Sequence, residues 1–354
     1  MKYRFLTIIL FATLILSSCS SPTIPSVAPT ALLSTPTPAP NQTGKALTSV
    51  NVCYSAITGT QAVVWYAYEK ALFLKYGLEV KLTYISSGTT AVTALLAGNI
   101  DICQVAGSSV VNAVAAGQDA VMIAGLYNIY PASLMVIPGI KTAQDLTGKA
   151  LAISQPGSST DVGIRMVLKQ FGLIPDKDVT LLAIGEESAR MAAMDTGQVA
   201  GSLLTSPDTL IEHQKGDIEL ANLATMNIPY QHTGIATTRK YISSHQTVVE
   251  DFMKAILDAI HQMKKDPAGT KAVMAKYLLL DPDKNAASLD DAYQTLILNS
   301  LSIVPYPSLA GIQTIIDYEK ATNPAVANLL PDQVVDMTIL KNLETNGFIT
   351  GLGK

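Results

Sequence analysis

From Ser49 onward, short β-branched runs alternate with helical stretches, and most of those helices stop at a glycine. VNVCY (50–54) is followed by QAVVWYAYEKALFLKY up to Gly77, then by EVKLTYI, TTAVTALLA up to Gly98, and IDICQVA. This is the order of βαβ units, whose crossover helices require a mainly parallel sheet covered on its faces. After the strand-like VMIAGL and ASLMVIP the order repeats: KALAIS, a helix closed by Gly172, VTLLAI, EESARMAAMDT closed by Gly197, and VAGSLLT. LLAGNIDICQVAGSS (95–109) and MDTGQVAGSLLTSP (194–207) echo one another, Gly98 matching Gly197 and Ile100 matching Val199. That is similarity of architecture rather than of residues. Beyond TGIATT the segments 247–265, 268–278, 288–300, 308–321 and 331–345 read as helices separated by Pro signals. About 310 residues exceed one ordinary core. The reading is two α/β lobes around a cleft, with lobe one at 48–140 plus 232–354, lobe two at 141–231, and the helical C-terminal part packed on lobe one.

The first residues carry an address. Lys2 and Arg4 precede the apolar run Phe5–Leu16, too short to span a bilayer and suited to a signal peptide over 1–18. Leu16-Ser17-Ser18-Cys19 resembles the lipobox of bacterial lipoproteins, which makes Cys19 the expected lipidation site on the outer face of the cytoplasmic membrane. Residues 19–47, rich in Pro, Ser and Thr and nearly free of charge, read as an extended tether. Without Lys2 and Arg4 the chain holds 22 basic against 28 acidic residues, and no basic cluster favours nucleic acid. Cys53 and Cys103 alternate with apolar residues in strands; they read as small buried core residues, with pairing open to an exported chain. His213, His232, His245 and His261 lack metal-ligand spacing, so neither a metal nor a cofactor is expected.

Three Ser/Thr/Gly loops stand between strands and helices: Ser86–Thr90, Gly107–Ser109 and Gly157–Thr160. Each offers free N–H groups and hydroxyls at a helix N-terminus, where partial positive charge favours anions and electron-rich oxygens. None has the lysine of a P-loop, the glycines of a dinucleotide turn or the elbow of a serine hydrolase. Any one of them could be simple helix capping; three spread over both lobes suggest a shared ligand site. Trp65, Tyr66, Tyr127, Tyr130 and Tyr230 are candidate cleft walls. Asp161 and Arg165 follow the third loop at pairing distance along a helix.

EKALFLKYGLEVKLTYISSGTTAVTALLAGNIDICQVAGSSVVNAVAAG resembles the substrate-binding proteins of the nitrate/sulfonate/taurine class of ABC importers, and the resemblance runs on through DLTGKALAISQPGSSTD, TSP (205–207), TGIATTRKYI and NGFI. It implies a periplasmic-binding-protein type II fold and a monomer that hands its ligand to a membrane permease driven by an ATPase. By the same resemblance lobe one supplies Thr60, Gln61, Ser87, Gly88, Thr89 and Ser108, and lobe two supplies Ser158, Ser159, Thr160, Asp161 and Ser206. The ligand so implied is a small organic anion. Alternatives are a thiamine-pyrimidine or riboflavin-like heterocycle, or a membrane-tethered sensor. The related precursor synthases use a cysteine-rich motif that this sequence lacks, which argues against catalysis. One departure is Ala71, where the family phrase has glycine; a helix interior would accept it.

Overall fold

The computed structural model describes residues 46–352, so the expected signal peptide, Cys19 and nearly all of the tether lie outside the described residues. The strands form two five-stranded sheets. β1 (Thr48–Tyr54), β2 (Leu78–Tyr84), β3 (Ile102–Ala106), β4 (Val121–Gly125) and β10 (Thr233–Thr237) make the first, in the order β2-β1-β3-β10-β4. β5 (Ala132–Val136), β6 (Ala150–Ile153), β7 (Thr180–Ala183), β8 (Gly201–Thr205) and β9 (Ile218–Asn222) make the second, in the order β7-β6-β8-β5-β9. In each sheet one strand, β10 or β5, runs against its neighbours. That strand is the one the chain lays down on arriving from the other lobe.

The two sheets therefore share one plan. In the first, Cys53 of β1 pairs with Cys103 of β3 and with Thr83 of β2. In the second, Ala152 of β6 pairs with Ser202 of β8 and with Leu182 of β7, each residue 99 positions further on. The match of Gly98 with Gly197 falls on the same offset. Cys53 and Cys103 are joined by a disulfide across this register pair.

β5 belongs to the second sheet, so the first crossover falls between Gly125 and Ala132 rather than at residue 140. Periodicity marks ASLMV as a strand but does not say which sheet it joins. β9 (IELAN) was not expected at all; it is a half-buried edge strand carrying Glu219 and Asn222, with no run of apolar residues to announce it.

Helices α1 (Ala62–Glu69), α2 (Leu72–Lys75), α3 (Gly88–Leu96) and α4 (Gly107–Ala115) follow strands of the first sheet, and α5 (Ser159–Gln170), α6 (Glu187–Asp195) and α7 (Asp208–Lys215) those of the second. The expected single helix from Gln61 to Tyr76 is broken because Ala71 is left-handed, at φ 54°. Far from sitting in a helix interior, it holds a conformation that glycine adopts freely and alanine only at a cost.

The tail contains α8 (Arg239–Ser244), α9 (Gln246–Lys265), α10 (Pro267–Leu278), α11 (Ala286–Ala292) running into a π-helical turn at Tyr293–Ser300, then α12 (Leu309–Glu319), α13 (Thr338–Thr345) and α14 (Phe348–Leu352). α9 buries Val249, Phe252, Met253, Ile256, Leu257, Ile260 and Met263, a 3–4-residue stripe that packs on α1 and α2. Phe252 stacks on Phe73 with ring centres 5.1 Å apart. Each large apolar side chain so buried is worth ~1.5–3 kcal/mol, which fixes the tail on lobe one. Among the described residues no helix is long and apolar enough to cross a membrane.

Candidate functional site

The parallel strands of both sheets point their carboxyl ends at one cleft, and the antiparallel β5 and β10 begin there. The cleft is lined after β1 by Ser55, Thr58, Thr60 and Gln61, after β2 by Ser87 and Gly88, and at the start of α4 by Ser109. Lobe two contributes Ser154, Ser158, Ser159 and Thr160 after β6, Glu186, Glu187 and Arg190 after β7, and Thr205 at the end of β8. Tyr130, at the entry to β5, and His232, at the entry to β10, complete it with Tyr84. Its free volume is about 80 Å³.

On the lobe-one side the polar atoms await partners. Gln61 Oε1, Ser87 Oγ and Ser109 Oγ are buried and make no hydrogen bond among the described residues. Buried polar atoms are nearly always paired, and three of the unpaired ones among the described residues gather around this one small cleft. Gln104 sets the first of them: its Nε2 donates to Thr60 O at 2.9 Å and its Oε1 accepts from Val64 N at 3.2 Å, pinning the turn into α1. Ser87 precedes α3 at φ 73°, ψ 136°, a left-handed conformation in which its hydroxyl does not cap the helix. Such strain in a non-glycine residue persists only where its surroundings enforce it. Gly88 packs closely, since a β-carbon there would overlap the Ser109 hydroxyl and lie 3.2 Å from Val105 Cγ2, so a larger residue has to displace Ser109.

On the lobe-two side the same kinds of atom are already engaged. Ser158 Oγ accepts from Asp161 N at 3.4 Å, capping α5, and lies 2.9 Å from Thr160 Oγ1, which accepts from Ser154 N at 2.8 Å. Arg190 is 3 % exposed and spends its guanidinium inward: Nε donates to Ser202 Oγ (2.9 Å), Nη1 to Gly185 O (2.7 Å), and Nη2 to Leu203 O and Glu187 Oε2 (both 3.2 Å). Glu187 Oε1 accepts from Thr205 N at 2.7 Å. Burial raises the Glu187 carboxyl above its ordinary range, with Arg190 pulling the other way. Burial likewise holds His232 near 3, so its ring is neutral at physiological pH. Among the described residues no cationic side chain of the cleft is left unpaired; the N-termini of α1, α3, α4 and α6, none capped by a side chain, add partial positive charge beside the carboxyl groups of Glu186 and Glu187.

Of the residues expected from sequence, Thr60, Gln61, Ser87, Gly88, Ser158, Ser159 and Thr160 meet at this cleft. Four do not. Thr89 and Asp161 line a separate cavity of about 300 Å³ outside it, where Asp161 accepts from Gly157 N (2.8 Å) and Arg165 Nε (2.7 Å). Ser206 lines another, of about 370 Å³, and donates to Asp291 at 2.5 Å. Ser108 is fully buried behind the cleft; because α4 already starts at Gly107, helical register brings Ser109 forward instead. Of the aromatics, Tyr130 lines the cleft and Tyr230 stacks behind it at 4.8 Å. Trp65 stacks on Tyr277 within lobe one at 4.7 Å, while Tyr66 and Tyr127 belong to the lobe-one core. Sequence reasoning missed Tyr84, Glu187, Arg190 and His232; Tyr84 ends β2, and Glu187 and Arg190 lie in the first turn or so of the helix that follows β7, so the carboxyl end of a strand was the signal available for these three.

Two α/β lobes, each with a four-plus-one mixed sheet and a cleft at the crossovers, define a periplasmic-binding-protein fold. A family model described as NMT1/THI5-like matches residues 60–270, and the chain belongs to that family. It is 25 % identical over 275 residues to riboflavin-binding protein RibY of Chloroflexus aurantiacus, covering 75 % of this chain and 76 % of that protein. Among solved structures, the nitrate-binding protein NrtA of Synechocystis PCC 6803 superposes with a TM-score of 0.72 at 13 % identity, over 87 % of this chain and 91 % of that one. The alkanesulfonate-binding protein SsuA of Xanthomonas axonopodis pv. citri, bound to MOPS, gives 0.66 at 19 % identity over 84 % and 98 %.

Proposed function

We propose that the protein is a lipid-anchored solute-binding component of an ABC importer, tethered through Cys19 outside the cytoplasmic membrane. It captures a small organic anion of the sulfonate, taurine or nitrate class between its lobes and passes it to the permease and its ATPase. One observation carries this reading: uncapped helix N-termini and partnerless Gln61, Ser87 and Ser109 converge on a cleft in which, among the described residues, no cation is free. N–H groups and hydroxyls hold an oxyanion while leaving it releasable, as a carrier must. At about 80 Å³ the cleft suits a ligand of few atoms, well below the ~300 Å³ at which drug-sized sites begin. Ligand contacts to both lobes favour the closed form, so binding shifts the population toward it. Nothing in this requires a reaction, and the site is read as binding rather than catalytic.

A second reading, a pyrimidine or flavin-like heterocycle, is favoured by the Tyr84 and Tyr130 rings in the cleft and by the similarity to RibY. It requires the lobes to part further than they do here. A thermal-shift panel of alkanesulfonates, taurine, nitrate, a thiamine-pyrimidine precursor and riboflavin separates the two. Stabilisation by the small anions alone supports the first reading, by the heterocycles alone the second. A panel without any shift removes the support for transport of either class.

A further inference from the structure

The loop that brings Ser158, Ser159 and Thr160 to the cleft also touches lobe one on its outer side. Asn112 of α4 donates through Nδ2 to the Gly157 carbonyl of lobe two at 3.2 Å and to Glu319 Oε1 of α12 at 3.0 Å. Asn323 Nδ2 donates to Asn112 Oδ1 at 2.7 Å. The amide orientations are fixed from both ends. Asn323 Oδ1 accepts from the Ala325 N–H at 3.1 Å, which turns its Nδ2 toward Asn112, and the far end of the chain is a carbonyl that can only accept. Gly157 sits at φ 73°, and a β-carbon there would lie 3.0 Å from Asn112 Nδ2. Ser206 also reaches across the lobes, donating to Asp291 at 2.5 Å.

We infer that Asn112, held by Asn323 and Glu319, is a latch that fastens lobe one to the ligand-binding loop of lobe two, and that a proton on Glu319 sets its strength. Glu319 is 4 % exposed, lines the outer cavity, and its Oε2 has no hydrogen-bond partner among the described residues. The charges around it give no compensation. Arg165 of α5 is engaged by Asp161 and Asp176, Lys169 of α5 lies over the Tyr318 ring at 4.8 Å, and Lys320, directly after α12, pairs with Asp317 at 2.8 Å. α4 and the turn after α12 offer only the neutral Asn112 and Asn323. Burial pushes the Glu319 carboxyl up to about 8; the Asn112 hydrogen bond opposes this and the Asp161 charge adds to it.

The direction of the pH effect follows. Where parting of the lobes lets water reach Glu319, its carboxyl returns toward the ordinary ~4.3, so closing takes up a proton. The latch is strongest in mild acid, weakens as pH rises toward about 8 and changes little above it.

The test needs no ligand, and its failure is separable from failure of the transport reading. Hydrogen exchange of the full-length protein is followed at pH 6 and pH 9 in the peptide spanning Gln155–Asp161, with rates corrected for intrinsic chemistry and referenced to α9. The wild type should lose protection at pH 9. Asn112→Ala should exchange roughly five-fold faster than wild type already at pH 6, as expected for one lost hydrogen bond. Glu319→Gln, which keeps the acceptor but cannot titrate, should stay protected at both pH values. Asn323→Ala, which frees the Asn112 amide without touching lobe two, should fall between wild type and Asn112→Ala. Wild-type protection in Asn112→Ala and Asn323→Ala would overturn the latch, and a wild-type pH response in Glu319→Gln would overturn the role of the proton.

Discussion

The same register pair is held in two ways. In lobe one Cys53 and Cys103 close β1 to β3 with a covalent bond. In lobe two, 99 residues on, Ser202 Oγ donates to Ala152 O at 3.0 Å and receives Arg190, which in turn fixes Glu187 and Gly185. Just above these pairs lie the two halves of the cleft, and they differ correspondingly. A covalent tie needs nothing from the loops above it, and Gln61, Ser87 and Ser109 are left without partners. The polar tie of lobe two draws Gly185 of the loop and Glu187 at the start of α6 into itself. On the proposed function, lobe one is the half with polar groups still to pair, and lobe two the half whose polar groups are already paired within it.

The largest test of this contrast is removal of the ties. Arg190→Ala strands Glu187 in a buried site and frees the loop after β7, and should cost ~3–5 kcal/mol in chemical denaturation. Replacing both cysteines of lobe one by serine opens a cross-link spanning 50 residues and should cost ~2–4 kcal/mol. If either pair of strands tolerates the loss within 0.5 kcal/mol, roughly the noise of a surface substitution, that tie is ornamental.

The next effect is on binding. Gln61→Ala with Ser87→Ala should weaken whichever ligand the thermal-shift panel identifies by about 10–100-fold, because these groups have no other partner. Ser158→Ala should instead lower stability by ~1 kcal/mol through the lost cap of α5, with a smaller change in affinity. Titration calorimetry beside thermal melts separates these. The reverse ranking would place the stronger ligand contact on lobe two.

The contrast also explains what the sequence showed and what it hid. Strand order, glycine stops and Ser/Thr loops are local, and from them two lobes, the helical tail and seven cleft residues could be read. Pairing is not local. The placement of β5 and the Cys53–Cys103 bond depend on strands 50 or more residues apart, or on a crossover whose destination no periodicity encodes, and the inward turn of Arg190 depends on how α6 lies against β8. Ser158 and Ser87 look alike in sequence; only the backbone shows that one hydroxyl caps its helix and the other does not.

The smallest expected effect is the sharpest, because it compares two left-handed residues within lobe one. Ala71 (φ 54°) and Ser87 (φ 73°) both occupy backbone conformations that favour glycine. Ala71 ends one helix and starts another away from the cleft, while Ser87 presents its partnerless hydroxyl to it. Glycine at either position relieves strain, so Ala71→Gly and Ser87→Gly should each raise the melting temperature, by about 0.5–1 kcal/mol of stability. Only Ser87→Gly should also lose affinity, since only there does the strain aim a ligand contact. Equal affinity in the two variants would make the conformation of Ser87 a packing accident, and the unpaired groups of lobe one would lose their claim on the ligand.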